Sequence, residues 1–224
     1  MFDNFVSLGC FCGTASSMVK YGLRGFSGPF DWMISDFDGV VENMDKDFCD
    51  FLQKDNLQIV SEESGIIDTK YGFYFKHDKI SNFNEDFERV YDKYIRRIER
   101  FRIILKSKTC FIRVVIDQNE VSYISNNIDH INQVIKRGNS NNEIIFMIPE
   151  ILSAPKNLTS YYIIDMDSYL DIINSQEELG SLFDKNKEFI TYCKNNYSEQ
   201  LQKENIIFNL PNSNKKLDTY TIST

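Results

Sequence analysis

Seven consecutive residues near the middle of the chain, Cys110-Phe111-Ile112-Arg113-Val114-Val115-Ile116, are apolar apart from one arginine. A run without polar alternation reads as a strand covered on both faces, the situation of a central strand in a parallel sheet. The charge inside it must find a partner, because an unpaired guanidinium in a core is strongly unfavourable. Arg113 is therefore expected to anchor a carboxylate, with Asp31 as one candidate.

The surrounding pattern repeats the theme. Val121 to Lys136 carries Ile124, Ile128, Ile131, Val134 and Ile135 at helical spacing and stops at Gly138. Glu143 to Ile148 is another apolar strand, ended by Pro149, and Tyr161 to Ile164 is a further one. Residues 181–197 suit a late helix with Leu182, Phe183, Phe189, Ile190 and Cys193 inward. Strand, helix, strand, helix in this order predicts an α/β layered domain with a mostly parallel central sheet flanked by helices. No repeat or linker divides the chain, so residues 1–210 are expected to form one domain, and residues 211–224, polar and rich in Asn and Lys, a loosely held tail.

In such folds the site lies at the C-terminal ends of the strands, which directs attention to the N-terminus. Phe5 to Leu8 is strand-like and runs through Gly9-Cys10-Phe11-Cys12-Gly13 into a short amphipathic helix with Ala15, Met18 and Val19. Gly22 is placed to supply the left-handed cap that ends it. A strand turning sharply into a helix sets the turn residue against free N–H groups. A cysteine there gains thiolate character from those donors and from the helix dipole, and the same donors suit an acyl-transfer oxyanion. Cys10 and Cys12 as small buried apolar residues is the plainer reading of the same stretch.

Next comes Phe26-Ser27-Gly28-Pro29-Phe30-Asp31-Trp32, which holds the one tryptophan. Its rings belong over the core. Asp31, set between two of them, is either tethered by backbone N–H groups and an arginine or a functional carboxylate in a cleft. Asp36 or Asp38 caps a helix expected to carry Val40, Val41, Met44, Phe48, Phe51 and Leu52. Short strands follow at Leu57 to Val60, Ile66-Ile67 and Tyr71 to Phe75, the last ending at Lys76-His77-Asp78. Residues 84–107 are the strongest helix, with a stripe of Phe87, Val90, Tyr94, Ile98, Phe101 and Leu105. Arg89, Lys93, Arg96, Arg97, Arg100 and Arg102 give it a basic face. Such a face pairs with Glu88, Asp92 and Glu99, or turns one or two arginines inward toward an anion or Asp31.

Composition excludes several classes. A net charge of −8 argues against general nucleic-acid binding. No run of 18 apolar residues offers a membrane span, and the N-terminus lacks the features of a signal peptide, so a cytoplasmic protein is expected. Five scattered cysteines are not a disulfide framework, and Cys10-x-Cys12 has no partner pair at metal-ligand spacing. Neither metal nor cofactor is expected.

Ser7-Leu8-Gly9-x-x-Cys12-x-x-Ala15 resembles the opening signature of a bacterial family of unknown function labelled as putative papain-like cysteine peptidases. Pro29-Phe30-Asp31-Trp32, His77-Asp78, Arg96-Arg97-Ile98-Glu99-Arg100-Phe101 and Phe111-Ile112-Arg113 follow in order, so the resemblance spans roughly residues 5 to 150. It implies Cys12 as nucleophile and His77 as general base, a thiolate–imidazolium pair acting on an acyl- or peptide-type substrate, and a papain-like α+β fold as the alternative architecture. The chain has only two histidines, and His130 reads as a helix-flank residue beside Ile128 and Ile131. Gly9 and Gly13 would support the oxyanion. Asp31 and Asp78 are candidates for the orienting group, although neighbouring residues on a strand point opposite ways, which counts against Asp78. Two other readings stand beside this one. Gly9-Cys10-Phe11-Cys12 is somewhat similar to the opening of one branch of SGNH-type esterases, which would make Cys10 the nucleophile. A non-catalytic module binding sugar-phosphate or nucleotide anions through Arg97, Arg100 or Arg113 is the third.

Overall fold

The computed structural model describes residues 1–61, 65–78, 83–165 and 181–198. The expected tail at 211–224 lies outside them, so the end of the domain at residue 210 does too.

Four parallel strands form the central sheet: β1 (Asn4–Ser7), β5 (Thr109–Val114), β6 (Glu143–Pro149) and β7 (Tyr161–Ile164), in that spatial order. Three short antiparallel strands, β2 (Leu57–Ser61), β3 (Gly65–Asp68) and β4 (Phe73–Phe75), make a second sheet. The helices are α1 (Cys12–Lys20), α2 (Phe37–Asp45), α3 (Phe83–Ile104), α4 (Gln118–Lys136) and α5 (Lys187–Asn196). This is the α/β architecture expected from the order of elements.

The continuous apolar strands have two separate cores to fill. Val6, Leu8, Phe111, Val115, Ile144, Phe146 and Ile148 pack with α2, α3, α4 and the small sheet on one face. Phe5, Cys110, Ile112, Val114, Ile145 and Met147 pack with Met18 of α1 and Phe189 and Cys193 of α5 on the other. Every residue of β5 is buried. Alternation in side-chain direction is present, but both directions are apolar because both faces are covered. No helix of the described residues is long and apolar enough to cross a membrane.

Two boundaries and one buried face differ from the periodicity. The helix expected to run to Leu52 ends at Asp45, because Asp47, Phe48 and Leu52 all have positive φ (49°, 59° and 55°), which breaks the helix, while Phe48, Phe51 and Leu52 still reach the core. The late helix starts at Lys187, where the Asn186 side chain accepts the N–H of Phe189. Ala15 and Met18 are buried on α1 as expected, whereas Val19 is 48% exposed and Thr14 and Ser17 are buried in its stead. Gly22 does close α1 in the left-handed region (φ 67°), with Leu23 N–H donating to Met18 O at 2.9 Å.

Candidate active site

The strand-to-helix turn is built by two consecutive residues at positive φ, Gly9 (81°) and Cys10 (82°). Gly9 is required twice over: its φ disfavours a side chain, and a Cβ there would sit 2.5 Å from Ser35 Oγ. Cys10 adopts a conformation that ordinarily costs an L-residue about 1–2 kcal/mol, so the surroundings must hold it. Its N–H donates to Ser35 Oγ at 3.1 Å and its carbonyl accepts the Ser35 N–H at 3.2 Å. Thr14 Oγ1 donates to Gly9 O at 3.4 Å.

Ser35 is in turn held by Arg113. The guanidinium donates from Nη1 to Leu8 O (3.0 Å) and Ser35 Oγ (3.0 Å), and from Nη2 to Ser35 O (2.7 Å). Nε and Nη2 also grip both oxygens of Glu120, at 2.7 and 3.0 Å. The carboxylate that Arg113 needs is thus Glu120, in the first turn of α4, and not Asp31. Glu120 is placed by the Asp117 cap, whose Oδ1 accepts the Glu120 N–H at 2.8 Å. Arg113 is structural in this arrangement.

Asp31 is tethered elsewhere. Its Oδ2 accepts from Arg24 Nε (2.9 Å), Arg24 Nη2 (2.7 Å) and Gly28 N–H (2.8 Å). Arg24 also lies 5.2 Å over the Trp32 ring. Of the two readings of Asp31, the geometry matches the tether of backbone N–H and arginine.

The segment Trp32–Ser35 brings the two halves of the site together. Ser35 pairs with Cys10, as above. Ile34 exchanges both backbone hydrogen bonds with Tyr74 of β4, at 3.0 and 2.8 Å. Trp32 meets the edge of the His77 ring at 6.2 Å between centroids. The turn bearing Cys12 and the turn after β4 bearing His77 are therefore stitched to the same four residues. Ser35, Arg24 and Glu120 escaped notice in the sequence; the Asp117-x-x-Glu120 capping pattern close after a strand containing a lone arginine was the available signal.

Cys12 is the first residue of α1 and is partly exposed. The N–H groups of Cys12 and Gly13, the charge of Lys76 and burial all act on its thiol; burial dominates, and the pKa is raised above the ordinary cysteine value. This departs from the thiolate expected of a helix N-terminus: desolvation outweighs the favourable effect of the first-turn N–H groups. Cys10 is 1% exposed and burial drives its thiol far higher, so it has no accessible sulfur with which to act as a nucleophile.

His77 stands at the surface, yet desolvation lowers its pKa, opposed by Asp78 and assisted by Lys76 and Lys93. Cys12 and His77 thus both favour their neutral forms. No hydrogen bond joins them among the described residues; the charge of Lys76 acts on both. Asp78 is committed to Lys93 Nζ and to Tyr94 OH (2.9 Å), and acts on His77 through its charge. Arg100 donates Nε to Arg96 O at 3.1 Å along its own helix. His130, away from this cluster, lies 3.9 Å from Asp45. Among the described residues no group of three or more His, Cys, Asp or Glu could hold a metal ion.

Comparison with known proteins adds two findings. The family described as "Putative papain-like cysteine peptidase (DUF1796)" matches residues 3–153, which include every residue of the site. An uncharacterized protein of Acanthamoeba polyphaga mimivirus is 32% identical, with 53% of this chain and 64% of that protein covered, so the match spans less than two thirds of the viral protein's length. No solved structure matches the chain.

Proposed function

The chain belongs to the family described as putative papain-like cysteine peptidases, and from that premise we propose that it is a cysteine-dependent hydrolase or acyltransferase with Cys12 as nucleophile and His77 as general base. The observation that carries the reading is the placement of Cys12: first residue of a helix that follows a strand of the central sheet, and partly open to solvent. There the N–H groups of Cys12 and Gly13 favour negative charge at the sulfur against the effect of burial. The neighbouring Cys10 is sealed, which leaves one thiol for chemistry.

The electrostatics favour a neutral pair in the resting site, unlike the thiolate–imidazolium pair that the family resemblance implied. Cys12 Sγ forms a bond to the acyl carbon while its proton passes to a neutral His77 nitrogen. The oxyanion so formed is met by the first-turn N–H groups of Cys12 and Gly13, which turn from the sulfur to the developing charge once the sulfur is bonded to carbon. The carbon–heteroatom bond then breaks, and the amine, alcohol or thiol leaves with the proton from His77. Water, or a second nucleophile in a transferase, attacks the thioester carbon with His77 again taking its proton. The carbon–sulfur bond then breaks, the acid or transferred acyl product leaves, and the proton on His77 returns to Cys12 Sγ. Nucleophile–base hydrogen bonds are often long in free enzymes and tighten in the substrate complex. Trp32, packed on His77, orients the ring where no carboxylate hydrogen bond is found among the described residues.

The test uses p-nitrophenyl acetate as a small acyl donor and intact-mass and peptide mass spectrometry as the readout. An acetyl thioester is expected on Cys12, retained in Cys10→Ala, absent in Cys12→Ala and formed more slowly in His77→Ala. Labelling of Cys10, or equal rates with and without His77, would overturn the assignment.

A further inference from the structure

Two arginines are almost wholly buried in this domain, and they differ in one respect. Arg113 (0% exposed) donates to Glu120, Leu8 and Ser35. Arg97 (2% exposed) sits in the apolar stripe of α3 between Tyr94, Ile98 and Phe101, and among the described residues its guanidinium has neither an acidic partner nor a hydrogen bond. Nη1 is sealed from solvent with no acceptor. Its contact is the face of Tyr94, 5.1 Å from the ring centre. A buried charge with Nη1 unmet is a costly feature, and one that a ligand of opposite charge would offset.

The surroundings point the same way. One turn earlier on α3, Lys93 binds Asp78, the residue after His77, and its charge acts on His77; the charge of Arg97 acts in turn on Lys93. Lys76 acts on both His77 and Cys12. Tyr94 ties these groups together in space: its OH donates to Asp78 Oδ2 at 2.9 Å, and Lys93 Nζ and the Arg97 guanidinium each lie 5.1 Å from its ring centre. Both cations thus flank the residue that follows His77, with Lys76 just before His77 in the sequence, in a chain whose net charge is −8. They form a gradient from the surface inward: Lys76 and His77 are exposed, the Lys93 side chain is 14% exposed, and Asp78 and Arg97 are buried.

We propose that Arg97, assisted by Lys93, anchors an anion subsite beside the Cys12–His77 site, so that the acyl substrate carries a carboxylate or phosphate group that docks there. The acyl part rests on the function proposed above; the anion subsite does not. A planar fork with an unmet nitrogen suits either group.

The experiment measures binding of inorganic phosphate and of succinate to the full chain by calorimetry and thermal shift, at constant ionic strength set with chloride. Wild type is expected to bind at least one of them saturably and to gain thermal stability with concentration. Preference for phosphate marks a phosphorylated substrate, and preference for succinate a carboxylated one. Arg97→Met keeps the apolar stem and removes the donors, and is expected to weaken binding about tenfold or more; Arg97→Lys, which retains the charge, should fall between. The bound anion should also slow iodoacetamide alkylation of Cys12 in wild type and not in Arg97→Met. Absence of saturable binding in wild type, or equal binding by both variants, overturns the subsite. Binding through Arg97 that leaves Cys12 alkylation untouched overturns its placement beside the thiol. Anion binding without any acetylation of Cys12 by p-nitrophenyl acetate leaves the subsite standing and sinks the catalytic reading instead.

Discussion

Arg113 grips Ser35 at two points, Nη1 on Oγ at 3.0 Å and Nη2 on the carbonyl at 2.7 Å, while the same Oγ accepts the N–H of Cys10. The one charge in the central strand is thereby coupled to the turn in which Gly9 and Cys10 hold positive φ just before the candidate nucleophile. Glu120 neutralises the arginine, and Leu8 O takes a further donor. The core of the domain and the geometry of the site are joined through a single side chain.

Ser35→Ala removes the acceptor shared by Cys10 and Arg113 without creating much space. Both donors are then buried without that partner, which should cost about 1–3 kcal/mol, read from urea denaturation. The Cys10 turn should relax as well, changing the rate at which Cys12 is alkylated. A loss below about 0.5 kcal/mol with an unchanged rate would show that Ser35 merely fills space.

Arg113→Met leaves Glu120 buried with no counter-charge and should destabilise by about 3–5 kcal/mol. Arg113→Met combined with Glu120→Leu should recover a large part of that, since an apolar pair of similar volume is often tolerated where one lone charge is not. Equal destabilisation in the single and double variants would mean that the ties to Leu8 and Ser35, rather than the ion pair, carry the effect.

His77 should titrate below its ordinary value of 6.5, since desolvation disfavours the imidazolium and Lys76 and Lys93 add to it against Asp78. With a lowered folded-state pKa, the unfolded chain binds more protons in the window beneath 6.5, so stability rises with pH there. The contribution is complete above that value and is lost as pH falls through the folded-state pKa. An NMR titration of the imidazole reads the midpoint directly, and urea melts of wild type and His77→Gln across the window should converge at the alkaline end. A midpoint at or above 6.5 would contradict the geometry.

Cys12 should be alkylated by iodoacetamide faster as pH is raised, with an apparent pKa above that of an ordinary thiol, because burial dominates over Lys76 and the N–H groups of the first turn. A rate that is already high and flat in mildly acidic solution is the signature of a thiolate–imidazolium pair, and would show that the resting site is ionised.

Asp31→Asn weakens three hydrogen bonds to one carboxylate oxygen, two of them from Arg24. A loss of about 1–3 kcal/mol is expected. Because Asp31 reaches Arg24 and Gly28 rather than His77, the pH profile of Cys12 alkylation should be unchanged. A shifted profile would restore Asp31 to a role in orienting the base.

Much of the layered fold can be read directly from local pattern. The unbroken apolar runs of β5 and β6 demand cover on both faces, the stripe on α3 demands burial, and Cys12 stands at a strand-to-helix turn whatever surrounds it. These features depend on the desolvation of side chains spaced by the period of their own element, which a linear string records. It also records that Arg113 requires a carboxylate. Which one is a matter of distance in the folded chain, and it fell to Glu120, seven residues on, while Asp31 went to Arg24. The same holds for the end of α2, where tertiary packing of Phe48 and Leu52 in positive φ overrides helical spacing. Cys12 and His77 are stitched to one segment, Trp32–Ser35, by contacts no periodicity encodes. Burial, too, exists only in the assembled molecule, and it reverses the ionisation that the helix terminus alone would have given Cys12.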